Sequence, residues 1–212
     1  MNPLKIMYEK SGLKVCENLK KRFFDAYYVN TKEEALNKAL SLIPKEHTVS
    51  WGGSITFEQI GLKDALINHG YNLIDRDSAA SPQERADLMH KALCCGTFIM
   101  SANAVVSDGE LVNTDGNGNR VAALCYGPKN VLVLAGMNKV VKTVDDAFNR
   151  VRNIAAPATK QRFENLKTPC GITGQCADCC TEDSICNQFV LTRLCHPKGR
   201  IKVILIGENL GL

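Results

Sequence analysis

Apolar positions along this chain follow two periods. Short, nearly continuous apolar runs at Thr48 to Trp51, Tyr71 to Asp75, Thr97 to Ser101, Asn130 to Ala135 and Ile201 to Ile206 read as strands. Between them apolar residues return at helical spacing, as in Leu36, Leu40 and Ile43, in Ala86, Met89 and Leu93, and in Ala147, Val151 and Ile154. Cap chemistry supports these boundaries. Thr31 with Glu34, Thr56 with Gln59 and Ser81 with Glu84 each form a capping-box pattern, Thr143 caps a further helix, and Ile55 and Ile60 are spaced as a hydrophobic staple. Residues 4–28, with Lys20, Lys21 and Arg22 beside Phe23 and Phe24, read as one helix, and the helix from Phe57 to Asn68 ends at Gly70. Alternating strands and helices predict an α/β fold, an open, largely parallel sheet flanked by helices. Cores such as 131–135 and 203–206, apolar at every position, suit strands buried on both faces.

Two polar features interrupt this pattern. The first runs from Ser101 to Val141, where Asp108, Glu110, Asn113, Asp115, Gly116, Asn117, Gly118, Asn119 and Arg120 crowd between apolar segments. The stretch is too polar for core and too rich in turn formers for one helix or strand. It reads either as an Asx/Gly-rich surface hairpin or as a binding loop on a rigid scaffold. The second is Gly52-Gly53-Ser54-Ile55-Thr56, a glycine turn between a strand and a helix start. Free NH groups there suit a phosphate or carboxylate, and a tight connection without a ligand is the plainer alternative.

Composition narrows the function classes. In 212 residues, 26 basic residues face 22 acidic ones, a net +4 with no dense basic block or interleaved aromatics, so no nucleic-acid partner is expected. No apolar run is long enough to span a membrane and the N-terminal residues lack a signal-peptide core, so a cytosolic protein with no membrane partner is expected. In a reducing compartment the ten cysteines point to metal binding, redox chemistry or burial rather than disulfides. Six of them fall in 157–199, which has no sustained period and reads as an insertion before the last strand of a single domain spanning 1–212, whose first 45 residues are helical. Cys170, Cys176, Cys179 and Cys186 are the expected metal ligands, with Cys180 and Cys195 in reserve. Four-thiolate sites serve both iron–sulfur clusters and zinc, and a redox-labile or buried group is the other reading. Cys16, Cys94, Cys95 and Cys125 fall in expected helices and read as core.

Gly116-Asn-Gly118 lacks the third glycine and the acidic residue of a dinucleotide fingerprint, and no nucleophile elbow, zincin helix or phosphate-binding P-loop is present. WGGSIT, SANAVVSDGELVNTDGNGNRVAA, YGPKNVLVLAGMNKVV and GRIKVILIGENLGL together resemble the LUD-domain (lactate utilization) family over about residues 10–212. The resemblance implies the fold of ribose-5-phosphate isomerase, glucosamine-phosphate deaminase and CoA transferases. By position it makes Gly52, Gly53, Ser54 and Thr56 an anion-binding turn, and Asn103, Asp108, Glu110, Asp115, Asn119, Arg120, Asn138 and Lys139 a polar cleft for a small anionic substrate. The ferredoxin-like iron–sulfur module of some members is not evident, and fold alone fixes no activity. Three functions follow. The first is oxidation of lactate or a similar hydroxy acid with partner subunits, the cysteines relaying electrons or holding the insertion. The second is an isomerase or transferase acting on a phosphorylated sugar or acyl-CoA, with Asp108 or Glu110 as general base and Lys139 or Arg120 stabilising the oxyanion. The third is a non-catalytic binding subunit with a structural metal.

Overall fold

A computed structural model describes residues 2–212 of the chain. Its centre is a six-stranded, all-parallel sheet. The strands are β1 (Asp25–Val29), β2 (Thr48–Trp51), β3 (Asn72–Ile74), β4 (Thr97–Met100), β7 (Asn130–Gly136) and β10 (Ile201–Ile206), in the order β1-β10-β7-β4-β2-β3. A second sheet, ordered β8-β5-β6-β9, combines β5 (Ala104–Val106), β6 (Leu111–Asp115), β8 (Val140–Val141) and β9 (Gln188–Thr192). The helices are α1 (Pro3–Lys21), α2 (Lys32–Ser41), α3 (Ile55–Gln59), α4 (Leu62–Asn68), α5 (Pro82–Ala92), α6 (Asn119–Cys125), α7 (Val144–Arg150), α8 (Ala156–Lys160) and α9 (Pro169–Thr173), with a π-helical turn at Val151–Ala155.

Alternation along the central strands sends side chains to opposite faces. Val131, Val133, Val203, Leu205, Phe98 and Met100 pack beneath α1, α5 and α6, whereas Leu132, Leu134, Ile204, Ile206 and Ile99 pack beneath α2, α3 and α4. Both faces are therefore covered, as the expected parallel α/β sheet requires. A smaller cluster of Ala104, Val106, Val112, Ala147 and Val151 fixes the second sheet to α7. Among the described residues no helix is long and apolar enough to cross a membrane.

Several local readings are corrected. The N-terminal segment is not one helix: α1 ends at Lys21, Phe23 takes a left-handed backbone (φ 67°), and β1 pairs in parallel with β10. The helix after the glycine turn is two pieces, broken at left-handed Gly61 (φ 70°). Its N-cap is Ser54, which accepts from the Phe57 NH at 3.2 Å, and not Thr56. Residues 157–199 also contribute to the sheets, since β9 pairs antiparallel with β6 along its length. Thr31, Ser81 and Thr143 cap their helices as the sequence indicates. Of the four cysteines read as core, Cys16 and Cys95 are buried, while Cys94 and Cys125 are exposed.

The polar stretch after β4 forms the β5–β6 hairpin, whose tip docks on α1 rather than facing the cleft described below. Gly109 (φ 91°) sits so close that a Cβ would lie 2.6 Å from the Asn18 carbonyl carbon. The Asn18 side-chain amide donates to the Ser107 carbonyl at 2.9 Å. Gly109→Ala should therefore destabilise the protein by more than about 2 kcal/mol, combining the left-handed cost of about 1–2 kcal/mol with overpacking of about 1–3 kcal/mol. Urea unfolding measures this, and a loss under about 1 kcal/mol would show that the tip is not tightly docked.

Candidate active site

Four neighbouring strands, β3, β2, β4 and β7, end on one side of the sheet, where ligands bind in open α/β folds. Their C-terminal continuations supply Arg76, Gly53, Ser101 and Lys139. All four residues line one cleft of about 720 Å³. The geometry follows from topology: parallel strands in register bring segments distant in sequence to one sheet edge.

Lys139 forms the floor. It is 4% exposed, and its Nζ donates to Ser101 Oγ at 2.8 Å and to Thr56 Oγ1 at 3.1 Å. Among the described residues no carboxylate lies within ion-pair distance of it. Burial, reinforced by the Arg150 and Arg120 charges, lowers its pKa from the usual 10.5 to about 7. Near neutral pH this amine is therefore divided between a proton donor and a free base.

Arg120 lies beside it but is committed to the fold. Its Nη1 donates to the Ser101 carbonyl at 3.0 Å and to Asn113 Oδ1 at 2.8 Å. Its Nη2 donates to Asn103 Oδ1 at 2.9 Å and to the Thr114 carbonyl at 2.5 Å. Asp115 accepts from the backbone NH groups of Arg120 and Val121. This guanidinium holds the second sheet to the end of β4. Gly52 provides its seat, because a Cβ there would come within 2.8 Å of Arg120 Cδ.

Arg76, at the end of β3, is the cation that sequence reasoning missed. Its Nη2 lies 2.9 Å from the point a Gly53 Cβ would occupy, so Gly53 leaves room for it over the turn. Its Nε is buried without a hydrogen-bond partner, and Asp77 approaches only to 3.8 Å. Burial lowers its pKa, partly countered by Asp77. The other lysine and arginine side chains at the cleft rim are paired: Lys63 with Asp75 at 2.8 Å, Arg85 with Asp77 at 2.9 Å and Arg162 with Glu58 at 3.4 Å. The Gly52 NH donates to the Ile99 carbonyl, while the NH groups of residues 53–56 donate to no acceptor among the described residues. A strand-end rule applied to every strand, including the short β3, would have singled out Arg76.

The expected site residues thus divide into two groups. Gly53, Ser54, Asn103, Asp115, Asn119, Arg120 and Lys139 line the cleft. Thr56 is buried behind Lys139, Gly52 beneath Arg120, and Asn138 accepts from the Leu210 NH, fastening the C-terminal segment. Asp108 and Glu110, the expected catalytic pair, are corrected: neither lines the cleft. Glu110 pairs with Arg22 at 3.1 Å, and the Arg22 Nε donates to the Asp108 carbonyl at 2.7 Å. Both residues serve the contact between the hairpin tip and α1.

Cys170, Cys176, Cys179 and Cys186 line a separate, smaller cavity of about 40 Å³, whose wall shares Ala156, Ser184 and Ile185 with the cleft. Among the described residues no three metal-binding side chains are drawn together into a coordination group. Burial, with the neighbouring Cys176, Cys170 and Cys179, pushes the Cys186 thiol up to about 11. Cys180 is exposed, and Cys195 is buried in the core with its thiol donating to the Pro197 carbonyl at 3.2 Å.

The sequence profile of the LUD domain family matches residues 13–206. Among solved structures, the chain is similar to a DUF162 family protein from Deinococcus radiodurans. The two share 13% identity with a TM-score of 0.54, covering 94% of this chain and 98% of that one. At that identity the likeness speaks to the fold alone. The chain is also similar to ribose 5 phosphate isomerase A from Neisseria gonorrhoeae, at 16% identity over 53% of this chain and 54% of that one. The TM-score there is 0.35, an overlap too loose to support an argument. No curated protein matches the chain.

The lowered pKa of Lys139 has a consequence for stability. Between about 7 and 10.5 the unfolded chain holds this proton more tightly than the folded one, so raising the pH through that window favours the folded state. Below it, the full cost of burying the ammonium is present. Ligand-free wild type should therefore gain stability relative to Lys139→Met from pH 7 to pH 9.5, as measured by urea unfolding. Parallel pH profiles for the two proteins would mean that the amine is not desolvated.

Proposed function

The chain belongs to the LUD-domain family of lactate-utilization-related proteins, and from that premise we propose that its cleft binds lactate or a similar small 2-hydroxy acid for oxidation, in company with a partner subunit. The observation that carries this reading is a pair of cations facing one cleft: buried Lys139, with no carboxylate in ion-pair distance among the described residues, and half-buried Arg76, whose Nε has no hydrogen-bond partner and which Asp77 reaches only at 3.8 Å. An unpaired buried charge is costly, and an anionic ligand removes that cost.

In this reading the substrate carboxylate lies between the Arg76 guanidinium and the free NH groups after Gly53, in place of a protein acceptor. The substrate hydroxyl meets Lys139. Its Nζ is held by the Thr56 and Ser101 hydroxyls, and as free base it takes the hydroxyl proton. The Cα–H bond breaks and the hydrogen leaves as a hydride, carrying both electrons, to a two-electron acceptor of the flavin or nicotinamide class on the partner, which leaves the 2-keto acid. Asp108 and Glu110 take no part.

A second reading rests on size. A cleft of about 720 Å³ is in the range of pockets for much larger ligands than a three-carbon acid, which favours a phosphorylated sugar or an acyl-CoA and an isomerase or transferase reaction at the same cations. The two readings share the anion site and differ in what occupies the remaining volume.

Calorimetric titration with lactate, pyruvate, ribose 5-phosphate and CoA separates them. The expected result is binding of the hydroxy acid that weakens about tenfold or more in either Arg76→Ala or Lys139→Met, since a hydrogen bond to a charged group contributes about 1.5–3 kcal/mol. Wild-type affinity should also fall as pH rises above about 7, where Lys139 loses its proton, and Lys139→Met should lack that dependence. Selective binding of the sugar phosphate or CoA moves the assignment to the second reading. Absence of binding to all four at millimolar concentration rejects the anion site itself.

A further inference from the structure

We propose that Cys170, Cys176, Cys179 and Cys186 hold a single tetrahedrally coordinated soft cation of the zinc class, and that this ion fixes the wall of the cleft formed by residues 182–185. The inference is independent of which substrate the cleft takes. It starts from a deficit in the fold. Most side chains from 161 to 187 are exposed, with Thr168, Cys170 and Ser184 the buried exceptions, and the segment's regular structure is confined to the short α9. Ordering a backbone costs about 1–2 kcal/mol per residue, and so little apolar burial does not offset that. A long connection without its own core needs another fastening.

The four thiols sit where such a fastening acts. They come from three separate places in the segment and line one cavity. Its volume of about 40 Å³ has room for one ion. The thiols are not at coordination distance from one another's centre, so binding requires their side chains to turn inward and their protons to leave to solvent. The surrounding groups suit thiolates. The Asp178 NH, presented by a left-handed backbone (φ 50°), donates to Cys176 Sγ at 3.5 Å, and the Thr168 hydroxyl lies 3.3 Å from Cys170 Sγ. Arg152, from the π-helical turn, lines the same cavity and pairs with Asp178 at 3.0 Å. Four thiolates around a divalent ion leave a double negative charge, toward which the Asp178 NH and the Thr168 hydroxyl donate, while Arg152 is already matched by the Asp178 carboxylate.

The link to the cleft is the shared wall. Ser184 and Ile185 face both spaces, and Glu182 and Asp183 line the cleft beside them. Closing the thiols on an ion between Cys179 and Cys186 therefore sets the position of 182–185. The wall is tied to the body at its end, where the Asn187 NH donates to the Asp115 carbonyl at 2.9 Å and the Asn187 side-chain amide to the Gly116 carbonyl at 3.0 Å, while Asp183 accepts from the Lys167 NH at 2.8 Å within the segment itself.

The test uses the full chain purified anaerobically, with metal content, a visible spectrum and hydrogen exchange. The expected result is about one zinc per chain. Cobalt(II) added after chelator treatment should give the visible bands of a tetrahedral four-thiolate site, in wild type and in Cys180→Ser. The joint variant Cys176→Ser/Cys179→Ser should lose both signals. Rebinding should slow amide exchange at 182–185 at least about tenfold. Iron with sulfide and a brown colour overturns the single ion in favour of a cluster. Failure of wild type to bind zinc or cobalt overturns the site, and cobalt bands lost in Cys180→Ser overturn the choice of ligands. Stoichiometric metal with unchanged exchange at 182–185 overturns its role in the cleft wall. The wild-type and Cys180→Ser titrations decide the matter even if the joint variant does not fold.

Discussion

A buried guanidinium must have its donors satisfied, and Arg120 meets that demand by drawing together parts of the chain that otherwise share little. It binds the carbonyl after β4, two asparagine side chains and the carbonyl near the end of β6. The second sheet is thereby fixed to the C-terminal edge of the first. Removing any one acceptor would leave a charged donor unsatisfied in a dry site, a cost of a few kcal/mol at the point where both sheets meet. Gly52 belongs to the same constraint, because the aliphatic part of Arg120 occupies the space of its missing side chain.

That arrangement leaves the charge of the cleft deliberately uneven. Arg120 is neutralised by carbonyls, amides and nearby Asp115, and the rim cations are matched by carboxylates. Lys139 has no such match, and Arg76 has only Asp77 at 3.8 Å, a carboxylate it shares with the closer Arg85. Lys139 is held by hydroxyls, which orient the amine without stabilising its charge as a carboxylate would, and its lowered pKa is the electrostatic expression of that choice. Stability is given up at the position where an anion restores it, which connects the packing of this edge to ligand binding.

The hairpin and the cysteine segment show how the same kind of local composition serves different ends. The β5–β6 tip carries Asp108, Gly109 and Glu110, yet its polar groups are used up against α1 and Arg22. The segment before β9 is equally polar but has little to pack on, and its cysteines converge on a cavity that backs onto the cleft. Both are anchored through the second sheet, by β5–β6 pairing in one case and by β6–β9 pairing in the other.

Most of the central sheet was legible in the sequence because its information is local. VLVLA and VILI are apolar at every position, which marks strands covered on both sides, and Thr31, Ser81 and Thr143 announce helix starts through bonds to residues three places on. Edge strand β1 was hidden by its neighbours, since its two tyrosines follow a basic helix with no glycine or proline between them. Thr56 with Gln59 reads as the capping box, and only the structure shows that Ser54 caps the helix while Thr56 accepts from the Lys139 amine arriving after β7. Asp108 and Glu110 had the right chemistry for a site, but the direction in which a hairpin tip leans depends on its packing partner. Arg76 carried no motif at all, and its meaning arises from parallel register, which sets the ends of β3 and β2 side by side and brings a lone arginine over Gly53. The sequence by itself determined the elements and the polar residues available to them. The tertiary structure decided which of those residues share a cleft, because that depends on distances between segments far apart in the chain and on which charges the fold has already neutralised.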